Sequence, residues 1–447
     1  MIACPRAWCA ALASALLVLL PGVVHAGNDD ELLVGNHAAM MGGAVGAIVR
    51  DASATWYNPA GLGSVVRDQV DMSSTVYTVR MFSAPDLITT QSGASDDGSV
   101  TELVVAPTQI AFVRRLAPGI AIGIGYFSPD ASNYLLRETL NDERGSPPSD
   151  WQIARARSET QHIGALGLGI ALSPTLRLGL SVIGGYATHV NSLALYGAVS
   201  EQGMLRASNS LTLVETTTRF SMQVGPGLQW DVSPNIVLGL ALRSPEVQFY
   251  SVIDRTYNAS VASTIDTESP LFGTFSNETQ DRVGLELMRA GRAGFSLGYR
   301  YAMGAFTAEI DYQPALHRRR NNVDRKAVVN ARVGWYHALN NALAFGVGLF
   351  TDRSSAADEY GFVDGSGDYY GGTFGLELSN EHWLAPNERA ESLVFKTVFA
   401  FRYAYTRGEF GRVVGAPQLI TQDPFTTTRG RLYVHELGLY VGGGLQF

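Results

Sequence analysis

The side chains best suited to chemistry in this sequence are basic ones that share a face along alternating segments. Arg177, Arg219, Arg243, Arg300, Arg332, Lys396 and Arg402 fall opposite the large apolar residues, as do Glu309, Asp311 and Glu436. A guanidinium fork grips a carboxylate through two parallel hydrogen bonds, so one or two of these cations suit the head of an acidic ligand. Taken singly, each is better explained as half of an ion pair bracing the wall. Patterns for covalent or metal chemistry do not hold up. Gly294-Phe295-Ser296-Leu297-Gly298 spells G-x-S-x-G, but the serine lies in mid-strand with no helix after it, so no nucleophile elbow forms. The histidines at 37, 162, 189, 317, 337, 382 and 435 lack metal-ligand spacing. The acidic turn from Asp364 to Asp368 lacks the twelve-position calcium pattern and reads as a solvated loop. The expectation is no enzyme, no metal and no cofactor.

The elements that must position these charges are strands. Leu176, Leu178, Leu180 and Val182 alternate with Arg177, Gly179 and Ser181. Phe295, Leu297, Tyr299 and Tyr301 alternate with Gly294, Ser296, Gly298 and Arg300. Period-two spacing puts one set on each face of a strand. A soluble sandwich would carry Thr, Lys and Glu on its exposed face. Here the second face is mainly Gly, Ala and Ser with scattered charges, which fits apolar-out, polar-in transmembrane barrels. Short connections at 117–118, 173–174, 233–234, 303–304 and 339–341 alternate with long polar stretches at 129–157, 191–211, 251–281, 353–368 and 407–430. That rhythm predicts periplasmic turns and outer loops. The spans 71–81, 103–116, 119–128, 158–172, 176–190, 214–231, 236–250, 286–302, 304–314, 327–338, 342–352, 369–379, 393–406 and 431–447 make about fourteen strands. An even count places both chain ends on the periplasmic side. Pro107 and Pro226 lie inside strands and predict a kink or bulge there. Leu437, Leu439, Val441, Leu445 and the terminal Phe447 close the pattern.

The first residues differ. Arg6, the apolar run 10–20 and Val24-His25-Ala26 read as a secretory signal over 1–26, too short to span a bilayer as a helix. Cys4 and Cys9, the two cysteines of the chain, lie within it. Residues 31–63 are rich in Gly and Ala and do not alternate. A dangling tail would be more polar, so residues 27–66 are expected to plug the lumen of a barrel formed by 67–447. With 33 Lys and Arg against 41 Asp and Glu, nucleic acid is excluded as a partner.

The run Asp51-Ala52-Ser53-Ala54-Thr55-Trp56-Tyr57-Asn58-Pro59-Ala60-Gly61-Leu62, with Met40-Met41-Gly42-Gly43-Ala44 upstream, resembles the N-terminal hatch of FadL-type outer-membrane transporters of long-chain fatty acids and aromatic hydrocarbons. Signal, hatch, barrel and terminal Phe follow the same plan. Within the motif, Pro59 pushes Asn58 to extended backbone, and Gly61 is expected to supply a positive-φ turn. Arg50 and Asp51 could join the hatch to the lumenal charges.

The resemblance implies an all-β, monomeric outer-membrane barrel that takes up hydrophobic small molecules, with membrane lipid as its surroundings. It implies capture by the third and fourth outer loops. In the third, Leu193, Leu195, Tyr196, Met204 and Leu205 could form an apolar groove, or simply pack the loop against its neighbours. Two other uses of such a barrel remain open at this point, as a protein-binding component of a secretion assembly or as a general porin.

Overall fold

The computed structural model describes residues 33–106, 109–263, 271–318, 323–356, 365–383, 392–416 and 425–447. The signal segment, Pro107 and Asp364 lie outside the described residues. Among those residues no helix is long and apolar enough to cross a membrane. The chain opens with two short helices, α1 (Asn36–Met40) and α2 (Ala54–Tyr57), then a 3-10 helix (Pro59–Ser64). The strands follow: β1 (Gln69–Thr90), β2 (Ser95–Ala106), β3 (Gln109–Ala117), β4 (Ile120–Asp142), β5 (Ser149–Ala171), β6 (Leu176–Glu201) and β7 (Met204–Asp231). Next come β8 (Ile236–Arg243), β9 (Glu246–Ser263), β10 (Leu271–Arg289), β11 (Arg292–Tyr301), β12 (Gly304–Gln313), β13 (Leu316–Arg318) and β14 (Val323–Arg325). The last are β15 (Val328–Ala338), β16 (Leu343–Asp352), β17 (Gly365–Trp383), β18 (Ser392–Gly415) and β19 (Phe425–Gln446).

Seventeen of these segments form one sheet, while β13 and β14 make a separate hairpin. The sheet closes on itself, because β1 pairs with β19 from Gln69↔Gln446 to Ser83↔Tyr433. Closure leaves no edge with unpaired backbone groups, the condition for a sheet surrounded by lipid. The wall is thus an all-β closed barrel, but it does not consist of fourteen unbroken strands. Two expected strands, 236–250 and 286–302, are each interrupted. The breaks lie side by side, at Ser244–Pro245 and Ala290–Gly291. Pro245 has no donor for the ladder. Ser244 Oγ instead accepts from Val224 N at 2.9 Å. Gly291 is required because a Cβ would meet Arg243 O. At Pro226 the β6 ladder runs on in register through Leu180. The interruption falls on the other side, where β7 pairing stops at Met222 and resumes at Gly227.

The outward face of β6 locates the band that would contact lipid. Leu178, Leu180 and Val182 are 39–48% exposed. Trp230, opposite Leu176, stands at one end, and the Tyr186–Phe220 ring pair at 5.0 Å stands at the other. Ten residues of strand tilted at ~40° rise ~25 Å, the height of the apolar band between aromatic girdles.

The stretches 129–157 and 191–211 are mostly not loops. β6 has 26 residues and β7 has 28, far more than the ~10 that cross a bilayer. Backbone pairing needs no apolar side chains, so polar sequence continues the ladder beyond the band. This outer collar has its own core. Trp151 of β5 packs with Leu136, Leu140, Leu193, Leu195, Phe410 and Val413. At Ala84–Ile88 the β1 register shifts and Asp86 takes φ 51. The bend brings Leu87 and Ile88 into the collar core and pairs the end of β1 with β18 in parallel.

Candidate functional site

The small-residue face of the wall has a specific cause. A Cβ on Gly179 would meet Pro59 and Ala60, one on Gly227 would meet Asn58, and one on Gly348 would meet Met41 and Gly42. These glycines lie on β6, β7 and β16, so the N-terminal segment touches strands from well-separated parts of the barrel. Val34, Ala38, Met40, Met41, Val45, Val49, Ala52 and Leu62 form one apolar cluster with residues of the wall.

Polar bonds fix the segment's register. Thr373 Oγ1 donates to Met40 O at 2.9 Å and Thr307 Oγ1 to Ala44 O at 2.5 Å. Gly46 N donates to Glu309 Oε2 at 3.0 Å. Ala52 N donates to Asp71 Oδ2 at 3.1 Å. Arg243 Nη2 donates to Trp56 O at 2.7 Å, with its guanidinium 3.9 Å from the indole centroid.

The Asn58–Leu62 motif works partly as expected. Asn58 is extended (φ −154), and its Oδ1 accepts from Ala60 N to start the 3-10 helix. Its Nδ2 donates to Gly46 O at 2.9 Å and Leu228 O at 3.1 Å, tying segment to wall. Gly61 differs from the expectation. It is not among the positive-φ residues, which in the segment are Gly35, Gly42 and Gly43. Gly61 is needed because Val49 O occupies the place of a Cβ.

A charged latch forms where sequence spacing gave no signal. His37 on α1 sits between Asp51 (Nδ1 to Oδ2, 3.3 Å) and Glu377 of β17 (Nε2 to Oε2, 3.2 Å). Glu377 Oε1 also accepts from Lys396 Nζ at 3.0 Å. Burial alone would push His37 down, but its hydrogen bonds to Asp51 and Glu377 raise it from 6.5 to about 10. Burial likewise favours a neutral Asp51, yet the bonds from His37 and Ser53 hold it below the usual carboxylate range. His37 is therefore a cation in the neutral range.

The other inward charges are placed as follows. Arg332 pairs with Glu309 at 3.2 Å and Asp311 at 2.5 Å, and Arg292 joins Asp311 at 2.6 Å. Arg402 pairs with Glu436 and lies over the Phe350 ring. Arg80 reaches Glu436 at 2.8 Å and Glu102 at 3.5 Å. Arg177 pairs with Asp231. Arg219 lies in Coulombic range of Glu246. Beside Trp56 is a cavity lined by Ile163, Ile183, Gln223, Arg243, Glu246 and Arg289, next to the broken part of the wall. Its lining mixes apolar, polar and charged side chains. Trp56 was not among the expected site residues. Its part depends on Arg243, which lies far along the chain.

The five residues expected in a capture groove do not form one surface. Leu193 and Leu195 are 5% and 1% exposed inside the collar core. Tyr196 alternates to the opposite face. Met204 and Leu205, at the start of β7, are exposed at 56% and 52%. Among the described residues no cluster of His, Cys, Asp or Glu is arranged for a metal.

A closed barrel with an apolar outward band and a small, charged inward face has the fold of the FadL-type transport barrels. The chain is similar to the crystal structure of a Pseudomonas aeruginosa FadL homologue at 12% identity and TM-score 0.59, covering 94% of this chain and 99% of that one. It is similar to the Pseudomonas putida toluene transporter TodX at 14% identity and TM-score 0.55, over 94% and 99%. The Ralstonia pickettii toluene transporter TbuX matches at 12% identity and TM-score 0.52, over 94% and 99%. No family profile and no curated protein sequence matches the chain.

Proposed function

We propose that this chain is an outer-membrane transporter of hydrophobic small molecules, of the fatty-acid or hydrocarbon type, delivered after removal of a signal over 1–26. In this reading residues 27–66 are a hatch that plugs the barrel. The observation that carries it is the seating of the N-terminal segment against wall glycines from several strands, with the cavity at Trp56 beside it. An open porin has no use for a wall tailored so closely to its own N-terminus. The fold shared with toluene transporters supports apolar cargo. The mixed lining of the cavity favours cargo with one polar end. Passage would require the segment to shift or the cargo to leave through the wall.

The test is uptake by proteoliposomes, with ligand identified by mass spectrometry after purification. Hydrophobic cargo should bind and cross while sugars do not. Deleting 27–63 should open the barrel to sugars. Free sugar passage by the intact chain, with no bound fatty acid, alkane or aromatic, would refute the proposal.

A further inference from the structure

A second charged site lies at the short-turn mouth of the barrel, apart from the Trp56 cavity. Arg177 holds both carboxylate oxygens of Asp231, at 2.9 and 2.6 Å. Arg300 of β11 adds a second guanidinium, 3.3 Å from the same carboxylate. The N-terminal segment brings a third. Gln229, directly across the ladder from Arg177, donates to Val49 O at 3.4 Å. Arg50 follows Val49 in the chain, and Arg177, Asp231 and Arg300 lie in Coulombic range of it. Its side chain is exposed at the mouth.

Two guanidiniums thus share one carboxylate, and a third, that of Arg50, adds its charge nearby. Arg177 Nε and Arg300 Nη2 are buried without a hydrogen-bond partner, although Arg177 is only 5% exposed. Buried donors without acceptors and like charges held together both raise the energy of the empty arrangement. An oxyanion would relieve both, since the guanidinium fork matches carboxylate and phosphate alike.

We propose that Arg50, Arg177 and Arg300 form an anion site that takes a carboxylate or phosphate group. Bound there, the anion bridges the N-terminal segment, through Arg50, to the wall, through Arg177 and Arg300. The site strengthens the seating of the segment when occupied, and a carboxylate-headed cargo and free phosphate would compete for it.

The experiment titrates the full chain, in non-ionic detergent at low ionic strength, with inorganic phosphate by calorimetry. Acetate is then added as a competitor. Low salt matters because exposed charges are screened beyond about 10 Å at 0.1 M. One saturable phosphate site is expected, weakened at least tenfold in Arg50→Ala and in Arg300→Gln. Displacement by acetate shows that carboxylates share the site, and failure to displace limits it to phosphate. Heat-modifiable gel migration confirms that each variant keeps its barrel. Arg50→Ala is the decisive variant, because its exposed side chain is not needed for the wall. Absence of saturable phosphate binding, or binding unchanged in both variants, overturns the proposal. None of these readouts depends on transport, so the site can fail while the transport reading stands.

Discussion

Removing the His37 side chain should loosen the N-terminal segment by a measurable amount. His37 bridges Asp51 of its own segment and Glu377 of the wall. The rise from 6.5 to about 10 corresponds to about 5 kcal/mol if none of it were screened. The imidazole keeps 30% of its surface exposed, and breaking buried pairs costs roughly 3–5 kcal/mol. About 2–3 kcal/mol is therefore expected here, a factor of roughly 30–150 in an opening equilibrium. The reporter is a cysteine at Ala54, which is fully buried on α2, with Cys4 and Cys9 changed to Ser. Maleimide labelling of the full chain at pH 7.5 should accelerate by that factor in His37→Ala. The pH dependence follows from the directions of the two shifts. His37 is raised, so its contribution is complete below 6.5 and disappears as pH climbs through about 10. Asp51 is depressed, so its contribution is present above 3.8 and disappears only as pH falls through its lowered value. Protection, corrected for thiolate reactivity, should stay level from about pH 5 to 6.5, then fall progressively as pH rises and be lost by about pH 10. Labelling changed less than threefold by His37→Ala, in a barrel that still migrates as folded, would refute the reasoning.

Gly348→Val should displace the segment, because the new side chain would overlap Met41 and Gly42. Conductance in planar bilayers should rise, and an unchanged trace would count against a plugged lumen. Trp151→Ala should cost the collar about 3–5 kcal/mol. That ring packs against Phe425 at 5.6 Å and against Gly415. Limited proteolysis should then cut the outer ends of β5 and β6, leaving the span between the girdles intact. Equal resistance to wild type would show that the collar core does not hold those ends.

What could be read from sequence was whatever depends on near neighbours in the chain. Alternation is such a property, so the faces of β6 and β11 and the inward direction of Arg177, Arg300 and Arg332 were legible. Pro59 restricts the residue before it, so extended Asn58 was legible too. The partners of those charges were not. Arg332 meets Asp311 across the β12–β15 ladder, and Arg243 meets Trp56 because the N-terminal segment lies against the wall. The length of the outer strands was hidden because backbone pairing continues through polar residues. Leu193 and Leu195 therefore allowed two readings from sequence, an apolar groove or packing against neighbours, and they line a second core. The interruptions at Ser244–Pro245 and Ala290–Gly291 depend on adjacent strands and turned an expected row of about fourteen continuous strands into seventeen paired segments.

The sequence alone determined an outward apolar face, an inward small and charged face, and a distinct N-terminal segment, because side-chain direction along a strand follows from backbone geometry. Only the tertiary structure decided what the inward glycines were for. They leave room for a segment whose position is set by contacts with strands from all parts of the chain. The role of His37 emerges in the same way, since Asp51 of the N-terminal segment and Glu377 of β17 come together only in the folded chain.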